Sequence, residues 1–211
     1  MMRSGGKTVL TAALVALGVF AALGTAPRAQ AAPEPSIVNP SWQMDIEYEK
    51  PQPIAVKNID GQWKWYWYLP YTVTNNTGQD LLLVPEITIA DNTGRIISAG
   101  RNVPASVFNA VKAQTGDQLL IRPSDVIGRM LQGEDFAKSS VAIWPASEGD
   151  VDELSIFISG LSGETTPVQL PGMDEPVLLS KTLMLQYETP GSPATPQNQP
   201  VIQRDERWVM R

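Results

Sequence analysis

Trp63-Lys64-Trp65-Tyr66-Trp67-Tyr68-Leu69-Pro70-Tyr71-Thr72-Val73-Thr74 holds three of the six tryptophans in a chain of 211 residues. Successive side chains of a strand point to opposite faces. Here the odd positions, Trp63, Trp65, Trp67, Leu69, Tyr71 and Val73, form an unbroken apolar row, a period-two signal sustained along the whole stretch. Asp60-Gly61 just before it is a two-residue hairpin signal of type I′. That turn sets Ile59 opposite Gln62, Val56 opposite Trp65 and Ile54 opposite Trp67, so Ile54, Val56 and the tryptophans share one face, as cross-strand packing requires. The tryptophan row is therefore expected to be core. Tyr66 and Tyr68 are expected to face outward, where aromatic side chains are enriched at contact surfaces. A sugar-stacking platform is the alternative use of the same aromatic strand. Pro70 donates nothing to a ladder and marks a bulge, a bend or an edge position; because the alternation continues in phase past it, one bent strand is expected.

The pattern repeats on both sides of this hairpin. Trp42, Met44, Ile46 and Tyr48 alternate with polar residues and predict a first strand, ended by Pro51 and Pro53. Asn75-Asn76-Thr77-Gly78 is a turn cluster; it also matches a glycosylation sequon, but the turn reading needs nothing further. Residues 81–90 predict a strand with Leu83, Pro85, Ile87 and Ile89 in phase. Asp91-Asn92-Thr93-Gly94 fits a type I turn with glycine in the left-handed position, returning residues 95–99 antiparallel. Residues 104–114 predict the one clear helix, with Pro104 in its first turn, Gly116 as its stop, and Val103, Val107, Ala110 and Val111 on one side. Strands are expected over 119–122, 139–144, 154–159 and 181–187. Residues 124–132 read equally as a strand or a helical turn.

About nine short strands, one inserted helix, no βαβ rhythm and no repeat predict an all-β fold, an antiparallel β-sandwich. The run Thr72-Val73-Thr74-Asn75-Asn76-Thr77-Gly78, then Asp91-Asn92-Thr93-Gly94-Arg95, then Gln132-Gly133-Glu134 before Val141-Ala142-Ile143-Trp144 resembles exported bacterial immunoglobulin-like or fibronectin-III-like domains. The resemblance covers residues 63–161 and rests on turn motifs. It implies an immunoglobulin-like sandwich and carries over no catalytic residue. The chain departs from antibody-type domains in lacking both cysteines.

Residues 1–31 have the three parts of an export signal: Arg3 and Lys7, a small apolar run over 8–23, and Ala29-Gln30-Ala31 as a cleavage site. The run is shorter than the ~20 residues of a spanning helix, and no other apolar run approaches that length, so no membrane span is expected after cleavage. Removing residues 1–31 takes away Arg3, Lys7 and Arg28 and no acid, leaving 13 basic against 22 acidic side chains, a net charge of −9. Phosphates would be repelled, so nucleic acid is not an expected partner. The expected domains are the signal at 1–31, a loose segment at 32–41, the sandwich at 42–188, a Pro-rich linker at 189–200 and a docking segment at 201–211.

The chain has no Cys and no His. Disulfides and thiol-linked lipid are excluded, as are Ser-His-Asp and Cys-His catalysis and the usual zinc, haem and copper ligation. Gly160-Leu161-Ser162-Gly163 is no nucleophile elbow, because it lacks the strand-turn-helix setting and a histidine base. Glu148, Asp150, Asp152 and Glu153 share a loop, but their spacing does not complete a calcium loop, and a solvated acidic loop is expected. No metal, cofactor or catalytic residue is assigned. Carboxylate pairs for glycoside hydrolysis arise from tertiary proximity, so a carbohydrate-binding module or small glycan enzyme stays open as an alternative, as does an inhibitor of an exported protease.

The end of the chain changes character. Residues 189–200 hold Pro190, Pro193, Pro196 and Pro200, and at ~3.1 Å per residue a polyproline stretch of this length spans up to ~37 Å. After it come Val201, Ile202, Arg204, Arg207, Trp208, Val209, Met210 and Arg211, with Trp and Arg the types most enriched at interface hot spots. Residues 32–200 carry 10 basic and 20 acidic side chains, whereas the tail has three arginines against Asp205 and Glu206. The tail is expected to dock, either on its own acidic domain or on a partner. The expected function is non-enzymatic protein binding in the cell envelope, periplasmic or extracellular. Tyr66, Tyr68, Arg204, Arg207, Trp208 and Arg211 are the candidate contacts with another envelope or secreted protein.

Overall fold

A computed structural model of the chain describes residues 32–147, 149–189, 191 and 201–211. The expected signal segment, Glu148 and nearly all of the expected linker lie outside them. In chain order the strands are β1 (Asp45–Tyr48), β2 (Gln52–Lys57), β3 (Trp63–Thr74), β4 (Leu81–Leu83), β5 (Glu86–Asp91) and β6 (Ile96–Ser98). Helix α1 (Ala105–Thr115) and the single turn α2 (Pro123–Val126) follow, then β7 (Gly128–Met130), β8 (Lys138–Pro145), β9 (Glu153–Ser159), β10 (Thr165–Val168), β11 (Val177–Glu188) and β12 (Ile202–Met210).

Two antiparallel sheets face each other. In the first, β3 is central: β8 pairs along one edge, and β1 and β2 share the other, β1 against residues 71–74 and β2 against residues 63–68. Pro70 sits where β1 hands over to β2. Its carbonyl accepts from Glu49 N–H at 3.0 Å on that side, so the N–H that proline lacks falls in the gap between the two strands and not in the β8 ladder. In the second sheet β11 is central, with β9 and β10 along one edge and β12 along the other; β5 and β6 continue beyond β9. Trp67, Leu69, Tyr71 and Val73 from the first sheet meet Ile87, Ile89, Leu154, Ile156, Ile158, Leu183 and Leu185 from the second in the main core. That is the β-sandwich the alternation predicts.

The hairpin register differs by one residue from the sequence reading. The loop has three residues, not two: Asn58 N–H bonds Gln62 C=O at 2.8 Å, and Gly61 N–H bonds Asn58 C=O at 3.1 Å. The Asn58 side chain accepts from the backbone N–H of Asp60 and Gln62 at 3.0 and 2.8 Å, and Gly61 takes a φ of 78°. This is a type I turn closed by a left-handed glycine. Val56 therefore pairs with Lys64 and Ile54 with Tyr66, which moves both aliphatic side chains to the even face of β3.

That face is covered. Val107 and Val111 of α1, with Leu120, pack on Ile54, Tyr66, Tyr68, Val141 and Ile143 in a second core. Tyr66 and Tyr68 are 7% and 1% exposed, so the outward placement predicted for them is wrong. Their rings fill the space under the helix, and the Tyr68 hydroxyl is taken up by Gln52 at 2.8 Å and Gln114 at 3.0 Å. Conversely Trp63, placed in the core by its phase, is 62% exposed and lies under the Lys57 ammonium at 5.1 Å. The row enters the core only from Trp67 onward.

Helix α1 and its Gly116 stop match the sequence reading, as does the return of β6 on β5 after Gly94. The strand expected over 81–90 is broken at Val84-Pro85 into β4 and β5. Residues 119–122 form no strand, although Ile121 N–H reaches Ser139 C=O at 2.9 Å. Residues 124–132 divide into a helical turn and β7. Asn75 of the sequon is buried, and its side-chain amide donates to the carbonyls of Gln79 and Met130, both at 2.9 Å; it is a structural turn residue.

Candidate functional site

The C-terminal segment, expected to dock, is strand β12 on the edge of β11. Partners directly opposite in an antiparallel pair share a face. Trp208 opposite Leu183 and Met210 opposite Lys181 therefore turn inward, with Glu206 on the same face but exposed, and Trp208 packs on the main core. Gln203 donates to the Tyr48 hydroxyl at 3.1 Å, tying β12 to the first sheet. Burial, with the Glu206 carboxylate beside it, pushes that hydroxyl up to about 12.

Under Trp208 lies a buried ion pair, Lys181 Nζ to Glu164 Oε2 at 3.0 Å. The ammonium also reaches Asn39 Oδ1 at 2.6 Å and sits 5.5 Å from the Trp208 ring centre. Glu164 Oε1 accepts the Ser36 N–H at 2.7 Å. That backbone bond, opposed by burial and aided by Lys181, holds the carboxyl below its ordinary range. Residues 32–39, which form no helix or strand, are thus pinned by Asn39 to β11 and by Ser36 to Glu164, just before β10.

Self-docking is the sense of docking that the structure shows, yet charge contributes little to it. Arg204 binds Glu188, and Arg207 binds its neighbour Asp205 at 3.4 Å. Arg211 lies 4.1 Å over Phe157 and donates to Thr88 at 2.9 Å. The six residues singled out from sequence do not form one surface. Tyr66 and Tyr68 are under α1, Arg204 is at a bulge in β12, and Arg211 is on the outer face of the second sheet. Only Arg207 and Trp208 come together, beside a groove of about 630 Å³ between β12 and residues 32–39.

A second surface escaped the sequence reading. Strands β4 and β7 form a separate two-stranded ribbon, with Leu81 opposite Met130, Leu82 opposite Arg129 and Leu83 opposite Gly128. Leu83 and Met130 are fully buried beneath it. The other face is open: Leu82 is 66% exposed, Val84 49%, Ile127 53% and Leu131 37%. Arg129 lies among them and binds Asp80 Oδ2 through two nitrogens, at 2.7 and 3.2 Å. Gly160, with a φ of 81°, packs against the carbonyl of Val84, where a Cβ would clash, and holds the ribbon against the sandwich. The signal was present in sequence as Leu81-Leu82-Leu83-Val84, but a run of four apolar residues hides which side chains face out.

Among the described residues, no group of three or more Asp or Glu is placed to hold a metal ion, and no helix is long and apolar enough to cross a membrane. Comparison with protein-family models, with characterised proteins and with solved structures finds no match.

Proposed function

We propose that the protein is exported and acts as a non-catalytic, immunoglobulin-like binding module. In this reading another envelope or secreted protein is held against the open face of the β4–β7 ribbon. The observation that carries it is the exposed cluster of Leu82, Val84, Ile127 and Leu131 around Arg129. Single exposed aliphatic side chains are common, but contiguous apolar patches rimmed by polar groups mark contact sites. An arginine within an aliphatic patch is the composition of an interface centre. Export is supported by the signal pattern of residues 1–31, and the absence of His and Cys removes the commonest catalytic and metal chemistries.

The test is charge placed on the patch. Leu82→Asp and Ile127→Asp change exposed positions, where substitutions cost within about 0.5 kcal/mol, so both variants should melt like the wild type. In-cell crosslinking should then show a protein adduct with the wild type that both variants lose. An adduct kept by both variants rules the ribbon out.

A further inference from the structure

The groove beside β12 has features that the ribbon reading leaves unused. It is bordered on one side by Arg207, Trp208, Val209 and Met210 and on the other by residues 32–37 and Asn39. Neighbouring strand residues point to opposite faces, so a cavity touching four in succession runs along the strand's edge and not over one face.

The phase of the hydrogen bonds shows which backbone groups of this edge face away from β11. Arg211 and Ser180 exchange both backbone bonds, at 2.8 and 3.1 Å. In an antiparallel ladder such residues alternate with residues whose N–H and C=O point away from the partner. Lys181 confirms the phase, because its N–H turns from β12 to Glu164 C=O at 3.0 Å. Met210, opposite Lys181, and Trp208, opposite Leu183, therefore direct their N–H and C=O into the groove. Among the described residues no strand pairs with that edge.

The remainder of β12 is protected as edge strands usually are, by charge and a bulge. Arg204, Asp205, Glu206 and Arg207 are consecutive, and the register shifts at Gln186 and Tyr187. The uncharged residues 208–210 have neither device, and among the described residues nothing pairs with their outer edge. In the same groove Gln43 presents Oε1, a buried acceptor that meets no donor among the described residues. Backbone groups on one wall and an amide oxygen on the lining, all without a partner among the described residues, call for a ligand rich in alternating donors and acceptors.

We propose that this groove takes an extended peptide segment of a partner protein, added as a strand along Trp208 and Met210. Two such residues are ~7 Å apart along the strand and give four main-chain hydrogen bonds. Arg207 favours an acidic side chain at one end of the peptide, and Pro33, Pro35 and Trp208 favour an apolar one beside it. The volume is that of an ordinary ligand cleft.

The probe is a phage-displayed library of random decapeptides, selected on the immobilised full-length protein and counter-screened with an oligosaccharide panel. Enriched peptides should shift the amide resonances of Trp208 and Met210 and the side-chain amide of Gln43. Val209, already bonded to β11, should move least. Methylating alternate backbone nitrogens of the peptide should weaken binding at least tenfold, and methylating the intervening ones should not. Leu82→Asp should leave this binding intact, which separates the groove from the ribbon. The proposal is overturned if nothing is enriched, if the shifts map elsewhere, if both methylation sets act alike, or if only an oligosaccharide occupies the groove.

Discussion

Strand β12 is separated from the end of β11 at Glu188 by the 13 residues 189–201, so it can be removed without cutting into another strand. A chain ending at Glu188 loses the inward side chains of Trp208 and Met210, each packed on the domain. Burying one large apolar side chain contributes ~1.5–3 kcal/mol, which gives ~3–6 kcal/mol for the pair. Leu183 and Leu185 also lose cover, and the Lys181–Glu164 pair loses the ring above it. Single domains have ~5–15 kcal/mol in total. For a domain of this size ~1 kcal/mol corresponds to ~2–4 °C in Tm, so truncation should lower Tm by at least ~6 °C in a thermal melt followed by circular dichroism. As a control, residues 190–200 replaced by an equally long Gly-Ser linker should keep Tm within ~2 °C, because a tether of equal length closes the same loop. A truncated chain melting within ~2 °C of the intact one would refute the placement of β12 as a structural strand.

The remaining predictions concern particular residues. Trp67→Ala should cost ~3–5 kcal/mol in urea unfolding, and Trp63→Ala under ~1 kcal/mol; equal costs would contradict the faces assigned to β3. Tyr68→Phe should cost ~0.5–1.5 kcal/mol in the same assay, because its hydroxyl links Gln52 to Gln114. Glu164 is held below its ordinary range by the Ser36 N–H, with Lys181 assisting. Its contribution is therefore complete above the unfolded value of about 4.3 and is lost as pH falls through the lower folded value. The protection factor of the Ser36 amide, its exchange rate corrected for the intrinsic pH dependence, should fall below about pH 4 and stay constant near neutrality. N-terminal sequencing of the exported protein should begin at Ala32; an intact Met1 would remove the signal reading.

Periodicity made the strands and the helix legible, because alternation and the Pro104–Gly116 boundaries are local properties. The register was not, because one side chain decided it: Asn58 caps the turn and lengthens the loop by a residue. Tyr66 and Tyr68 misled for a related reason. Their phase, opposite the tryptophan row, makes them read as surface, and the helix that covers them begins at Ala105, 37 residues after Tyr68. The tail was recognisable as a docking segment from Trp208 and its aliphatic neighbours. Its charge pointed to arginine contacts, whereas the docking is mainly a backbone ladder, which composition does not show. The ribbon was hidden because Leu82 is exposed only through the register of β4 against β7, a relation between distant segments.

Whether the ribbon is where a partner sits is tested most directly by photo-crosslinking in cells from single positions. A benzoylphenylalanine placed at Leu82 or Leu131 should give one protein adduct of the same mass from both sites. The same group at Leu178, about as exposed as Leu82 but on β11 of the second sheet, should give none. An adduct from Leu178 with none from Leu82 or Leu131 would contradict the proposed binding face.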